Sequence, residues 1–221
     1  MKKQLKIFTK LHQSTKRDYL GRMFNNKVRS MIKAKKFEYD YWDGHRNHGY
    51  GGYKYIPGKW TPVAKKLIKQ YKLNSKSKVL DVGCGKGFLL YEIKKLIPKI
   101  KVSGFDISKH GIKNAKEEIK KNLYYHDARK RFPIKNKFYD LVFSFNTLHN
   151  FRLPHLVYSL KEIQRVSKNS FLLVEGYRNE SELFNLQCWA LTAESFFTDK
   201  EWKYLFKLAN YKGDYEFIYF Q

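Results

Sequence analysis

From Thr61 onward, short apolar runs alternate with stretches whose apolar residues recur every three or four positions. The alternation predicts strands at 78–82, 101–106, 122–126, 138–145 and 170–175, and helices at 87–97, 109–121 and 155–167. A helix opens the series: Thr61 can cap it, Pro62 fits its first turn, and Val63, Leu67, Ile68 and Tyr71 share one face. Helices at 181–191 and 198–210 follow, the second begun by a capping box at Thr198-Asp-Lys-Glu201, and Asp214 to Phe220 reads as a last strand. Mainly apolar strands alternating with amphipathic helices imply an α/β fold, a doubly wound and mostly parallel sheet of six or seven strands with helices on both faces.

The chain before this region has a different texture. Tyr19, Leu20, Met23, Phe24, Val28, Met31 and Ile32 recur at helical spacing behind Thr15-Lys-Arg-Asp18, which resembles a capping box. One helix from Lys16 to Lys36 is predicted, its continuous apolar face packed on the main domain rather than on a membrane. Residues 37–60 mix glycines and aromatics without any period and read as a loop. The chain thus divides into a helical arm with an aromatic lid loop, 1–60, and a main domain, 61–221.

The chain has 221 residues, 43% hydrophobic and 17% aromatic, which suits one core and excludes a disordered or fibrous protein. Lysines break the apolar residues at the start, and no run is long enough to span a bilayer, so neither secretion nor membrane insertion is expected. Cys84 and Cys188 stand far apart, with no second pair for a zinc site or disulfide framework, which suits a reducing cytoplasm. The net charge of +25 is uneven: residues 1–36 carry 12 basic groups and one acid, Asp18. Such a balance can attract nucleic acid or anionic metabolites. Yet 36 of the 45 basic residues are Lys, whereas bidentate reading of phosphates favours Arg, so compositional bias is the competing account.

The most informative stretch is Lys78-Val-Leu-Asp-Val-Gly-Cys-Gly-Lys-Gly-Phe-Leu-Leu90. A buried strand ends in Asp81, glycines at 83, 85 and 87 turn the chain, and a helix begins, so backbone N–H groups can approach a ligand closely. Val79 to Gly87 resembles the first motif of class I S-adenosylmethionine-dependent methyltransferases, and the later landmarks follow in order. Val102-Ser-Gly-Phe-Asp106 resembles the strand whose acid holds the ribose; Tyr125-His-Asp127-Ala resembles the one whose acid receives the adenine amino group. Tyr139 to His149 resembles the fourth-strand motif beside the transferred methyl. The resemblance covers roughly residues 61–220 and implies a Rossmann-like fold with S-adenosylmethionine as cofactor. Its implied cofactor residues are Asp81, Gly83, Cys84, Gly85, Gly87, Asp106, Ile107, Asp127, Ala128 and Asn146. Asp81 is expected to orient the glycine-turn N–H groups rather than touch the ligand. The family usually finishes with two strands, the last antiparallel, whereas one is found here; an exposed edge calls for a homodimer or for capping by the arm.

Methyl transfer from a sulfonium is an in-line displacement that needs positioning and dryness rather than a metal. An oxygen or nitrogen acceptor needs a base, and His149, shortly after the fourth strand, is the first candidate; a packed histidine is the alternative. His45 and His48 are rivals, and His110 reads as surface. In the lid loop, Tyr41, Trp42, His45, Arg46, His48 and Tyr53 are substrate candidates, with Arg46 suited to a carboxylate or phosphate and a plain packing loop as the alternative. Phe184, Gln187, Cys188, Trp189 and Phe196 form a second expected wall, or core. The chain lacks the Asn/Asp-Pro-Pro-Tyr/Phe of enzymes that methylate nucleobase amines or glutamine, and the Pro-Cys pair of C5-pyrimidine enzymes. A cytoplasmic methyltransferase acting on a small polar metabolite, with sugars or nucleotide-sugars preferred, is therefore expected. An RNA methyltransferase guided by the basic arm and a nonenzymatic binding protein are the rivals; nucleic acid is not favoured, and no membrane partner is expected. The loop is also similar to that of bacterial methyltransferase-domain proteins with Trp-Asp-Gly and Gly-Tyr-Gly-Gly-Tyr, which names no substrate.

Overall fold

The computed structural model describes residues 3–50 and 54–221, and its centre is a six-stranded sheet in which every neighbouring pair is parallel. In chain order the strands are β1 (Lys78–Val82), β2 (Lys101–Asp106), β3 (Leu123–Tyr125), β4 (Tyr139–Phe145), β5 (Ser167–Glu175) and β6 (Asp214–Ile218). Across the sheet they run β3-β2-β1-β4-β5-β6. The reversal between β1 and β4 opens a crevice at the carboxyl ends of these two strands, where open α/β sheets bind ligands.

Strand alternation sends Leu80 and Val82 to one face, with Val142, Leu172 and Val174. There they meet α9 (Leu153–Val166) and α11 (Asp199–Leu208) through Leu160, Ile163, Trp202 and Phe206. Val79, Val102, Leu141 and Phe171 point the other way, onto α5 (Thr61–Tyr71) and α6 (Phe88–Leu96) through Val63, Leu67, Leu90 and Ile93. The capping box at Thr198 and Glu201 is present, and Pro62 sits in the first turn of α5. The helix expected at 109–121 is two short pieces, α7 (Lys109–Lys113) and α8 (Glu117–Lys120).

The arm departs further from expectation. A short helix α1 (Thr9–Gln13) was not foreseen, and the single helix at 16–36 is two, α2 (Tyr19–Phe24) and α3 (Lys27–Ala34). The break falls at Asn25 and Asn26, the latter left-handed at φ 49°. Asp18, not Thr15, caps α2, accepting the Gly21 N–H at 2.8 Å. Most of the apolar stripe is not the docked face: Leu20, Phe24, Val28 and Ile32 are exposed, Phe24 by 82%, while Tyr19 meets Trp189 edge-on at 6.2 Å. Polar contacts hold the arm beside it. Arg22 Nε donates to Trp189 O at 3.0 Å, and Lys27 Nζ donates to Gln187 O at 3.0 Å, at the carboxyl end of α10 (Glu180–Trp189). Cations there meet both unsatisfied carbonyls and the negative end of the helix dipole.

The lid segment holds a one-turn helix, α4 (Tyr39–Trp42), and a 3-10 turn, Arg46–His48. The exposed edge of β6 is covered by the arm's first residues: Leu5 N donates to Tyr215 O at 2.8 Å, and Tyr215 N to Lys3 O at 3.1 Å. The buried Glu216 carboxylate then receives the N–H groups of Ile7, Phe8 and Thr9 at 2.6 to 3.0 Å, which fixes the start of α1. Phe8 stacks on Trp60 at 5.7 Å and meets Phe145 edge-on at 5.8 Å, so this part of the arm belongs to the core beside β4. Among the described residues no helix is long and apolar enough to cross a membrane.

Candidate functional site

A cavity of about 630 Å³ lies over the carboxyl ends of β1, β2 and β4 and is lined in part by the arm and lid. The glycine turn builds its floor. Gly83, Gly85 and Gly87 all have positive φ, and no side chain would fit at the first two. A Cβ on Gly83 would lie 2.2 Å from Thr147 Oγ1, and one on Gly85 2.3 Å from the Trp42 ring.

Phe105 O accepts the N–H groups of Gly83 and Cys84, at 2.9 and 3.1 Å. The Asp106 carboxylate accepts Gly85 N and Ser108 N, both at 2.8 Å. These two bonds fix its orientation and leave each oxygen a further lone pair toward the cavity. The expected role of Asp81 is overturned: the turn N–H groups have other acceptors, and Asp81 Oδ1 is buried without a partner. Burial, then the nearby Asp106, pushes the Asp81 carboxyl well above the usual carboxylate range. Burial also raises Asp106, against the N–H groups that favour its charge. Two adjacent buried acids with a free oxygen suit a ligand with positive charge and hydroxyl or amine donors.

All ten residues expected at the cofactor line this cavity: Asp81, Gly83, Cys84, Gly85, Gly87, Asp106, Ile107, Asp127, Ala128 and Asn146. Asp127 is already engaged. Burial alone would raise its carboxyl, but Arg129, through its side chain and backbone N–H, holds it below the usual range. Beside it His126 Nε2 is buried without a partner, a polar atom the sequence reading passed over. Asn146, left-handed at φ 51° at the end of β4, likewise keeps an unpartnered Oδ1.

His149 lines the cavity from a 3-10 turn, Leu148–Asn150, with its carbonyl accepting Glu194 N and Ser195 N at 2.9 and 3.0 Å. Its Nδ1 is buried without a partner, and its Nε2 lies 3.7 Å from Glu175 Oε2. Glu175, at the end of β5, was not foreseen; burial raises its carboxyl, opposed by His149 and Arg17. Only its position at a strand's carboxyl end, the feature that marks Asp106, would have pointed to it.

Of the substrate candidates, Tyr41, Trp42, Arg46 and Trp189 line the cavity, whereas His45 and His48 do not. His45 Nδ1 accepts Asn47 N at 3.3 Å, and His48 Nδ1 lies 3.2 Å from Asp40 Oδ1, so local contacts turn both rings elsewhere. Tyr53 lies outside the described residues. Trp42 sits on the glycine turn, donating to Ser108 Oγ at 2.8 Å, and so roofs the turn rather than forming a separate wall. Next to it Asp43 receives Lys86 Nζ at 2.6 and 2.8 Å and lies 2.7 Å from His110 Nε2, which latches the lid to the turn and makes His110 more than surface. From the second expected wall only Trp189 reaches the cavity; Phe184 and Gln187 are exposed, Cys188 is buried elsewhere, and Phe196 packs beside Trp189.

Comparison with known proteins agrees with this geometry. A family model described as a methyltransferase domain matches residues 73–213. Malonyl-[acyl-carrier protein] O-methyltransferase of Bacillus anthracis is 25% identical over 114 residues, which cover 50% of this chain and 39% of that protein. The match therefore spans well under half of the relative's length. Among solved structures, a chain of the Haloferax volcanii complex between the Trm112 methyltransferase activator and a methyltransferase superposes with a TM-score of 0.52 at 17% identity, over 70% of this chain and 77% of that one. The YcgJ protein of Bacillus subtilis superposes with a TM-score of 0.52 at 19% identity, over 66% of each chain. At these identities the two structures show a shared fold.

Proposed function

We propose, from the premise that this chain belongs to the methyltransferase-domain family and is an S-adenosylmethionine-dependent methyltransferase, that it methylates an oxygen or nitrogen of a small polar metabolite, with His149 as the base. The observation that carries this reading is a convergence: among the described residues, six that line one cavity, Arg17, Asp81, His126, Asn146, His149 and Asn150, each carry a buried polar atom without a partner. Unpartnered buried polar atoms are costly, and a cluster of them is expected where a ligand supplies the missing partners.

S-adenosylmethionine, when bound, supplies a methyl group activated on a sulfonium. Asp106 would hold the ribose hydroxyls, Asp81 the positively charged part, and His126 with the Asp127–Ala128 backbone the adenine edge. The glycine turn lets the nucleoside lie close to the backbone. Trp42 and Tyr41 exclude water over that end, and the Asp43–Lys86 pair keeps them there. At the other end an acceptor hydroxyl or amine would lose its proton to His149 Nδ1, while Nε2–H faces Glu175. Glu175 thereby favours the tautomer with Nδ1 free and steadies the imidazolium as it forms.

A small acceptor is supported by where the arm's charge goes. Three of the arm's basic residues, Arg17, Lys35 and Lys36, line the cavity, where they can meet an anionic acceptor. The test is incubation with methyl-labelled cofactor and a fractionated metabolite extract, with and without ribonuclease. Label in ribonuclease-resistant small molecules is expected, and label confined to ribonuclease-sensitive material would overturn the acceptor class. His149→Ala should abolish most turnover while leaving cofactor affinity intact; undiminished turnover would remove it as the base.

A further inference from the structure

The acceptor end of the cavity holds two guanidinium groups that form no ion pair among the described residues. Arg17 comes from the turn between α1 and α2, and Arg46 from the lid; both line the cavity. Among the described residues neither forms an ion pair, whereas Arg129, Arg152, Arg165 and Arg178 each pair with a carboxylate. Arg17 is half-buried and Arg46 exposed, so both are free to take an anion entering from the cavity.

Arg17 is also held in place. Its Nη1 donates to the carbonyls of His12 and Thr15 at 3.2 and 3.0 Å, and its Nη2 to His12 Nδ1 at 3.1 Å. Phe220 and Trp189 lie against its plane at 5.2 and 5.6 Å, and its Nε is buried without a hydrogen-bond partner. Arg46 reaches the same Trp189 ring at 5.8 Å and, among the described residues, is tied by Nη1 alone to Gly49 O at 3.2 Å, so it keeps donors to spare. A rigid planar cation with a free donor and a second, looser cation share one aromatic wall. That arrangement suits a planar or tetrahedral oxyanion rather than a neutral sugar or an amine.

We propose that the methyl acceptor carries a carboxylate or phosphate, and that Arg17 and Arg46 bind this group against the Trp189 ring. The proposal rests on the methyl-transfer reading of the same cavity and narrows its substrate class. Glu175, the acid facing Arg17, does not fill the role: among the described residues it forms no ion pair with Arg17, and its Oε2 lies 3.7 Å from His149 Nε2 instead.

Binding of two probes, inorganic phosphate and succinate, to protein saturated with S-adenosylmethionine tests this by calorimetry. At least one should bind the wild type, and the one that does identifies the oxyanion. Arg17→Gln and Arg46→Gln should each weaken that probe about ten-fold, the factor carried by one charge-assisted hydrogen bond, without changing nucleoside affinity. Arg17 also ties the arm together, so a melting curve accompanies its variant; Arg46→Gln, on the lid, gives a second reading that does not depend on the arm. Equal probe affinity in the wild type and both variants, or no binding of either probe while the nucleoside binds, would overturn the proposal and leave the methyl-transfer reading standing. Failure of the nucleoside to bind the wild type would overturn both.

Discussion

His12 should make the arm acid-labile, by an amount the structure defines. Its ring is 6% exposed, Nε2 lies 2.9 Å from Tyr219 O, and Nδ1 lies 3.1 Å from Arg17 Nη2. A carbonyl can only accept and a guanidinium only donate, so the ring must be neutral with its proton on Nε2. Burial, then the charge on Arg17, lowers its pKa from 6.5 to about 4. The unfolded chain therefore binds a proton that the folded protein refuses, and this group's contribution to stability falls as pH drops from 6.5 to about 4. At 1.36 kcal/mol per pH unit the loss approaches about 3 kcal/mol. His12→Gln keeps a donor and an acceptor but does not titrate, so the difference between wild type and variant isolates the term. Urea denaturation from pH 7 to 4 should show the wild type losing about 3 kcal/mol relative to the variant. Parallel stability curves would refute the neutral buried ring, and with it the account of how Arg17 is held.

Four further outcomes follow from the site. Asp106→Ala should weaken S-adenosylmethionine by about 1 to 3 kcal/mol, the worth of a charge-assisted hydrogen bond, and unchanged calorimetric affinity would contradict its place at the ribose. Because Asp81 and Asp106 are both raised by burial and must ionise to meet a cationic ligand, affinity for that nucleoside should rise with pH and binding should release protons; titrations in buffers of different ionisation enthalpy measure this directly. Asp43→Ala leaves Lys86, whose side chain is 6% exposed, without its carboxylate, so the melting temperature should fall by the equivalent of about 2 kcal/mol and cofactor should dissociate faster. Glu175→Gln should lower kcat about ten-fold and alter the pH–rate profile while the KM for cofactor holds; an unchanged profile would make Glu175 structural only.

The parts legible in the sequence are those whose signal is local. Strand alternation, the glycine turn and the acid ending β2 are each set within a few residues, so Gly83, Gly85, Asp106 and Asn146 all fall where their spacing puts them. The helical arm and its docking are legible, but its break at Asn25–Asn26 and its docked face are not, because periodicity reports an apolar face and not what covers it. Its docking relies on Arg22 and Lys27 against the carbonyls of α10, a contact between residues more than 150 positions apart that leaves no periodic trace. Arg17, Glu175 and the Asp43–Lys86 latch escaped for the same reason. Each becomes meaningful only through a partner brought in by the fold. His45 and His48 erred the other way: histidines in a glycine-rich loop suggest chemistry, but a short-range bond from Asn47 N to His45 and the approach of His48 to Asp40 turn them aside.

The cavity's two ends carry opposite charge, and they come from different parts of the chain. The glycine turn and β2 supply Asp81 and Asp106, while the arm and lid supply Arg17 and Arg46. Methyl transfer from a sulfonium to a deprotonated acceptor removes positive charge at the donor and negative charge at the nucleophile in the same step, so a dry site favours the transition state over two solvated ions. Such a site must nevertheless hold both charged reactants beforehand. Acids held at one end, with the anchored Arg17 and the looser Arg46 at the other, would do this with little water, provided the lid stays down. The latch on the glycine turn therefore matters to chemistry as well as to stability: Lys86 Nζ on Asp43 ties the segment that carries Arg46 to the turn that forms the nucleoside floor. Loosening that one pair should weaken both ends of the cavity together, which separates a shared roof from two independent subsites.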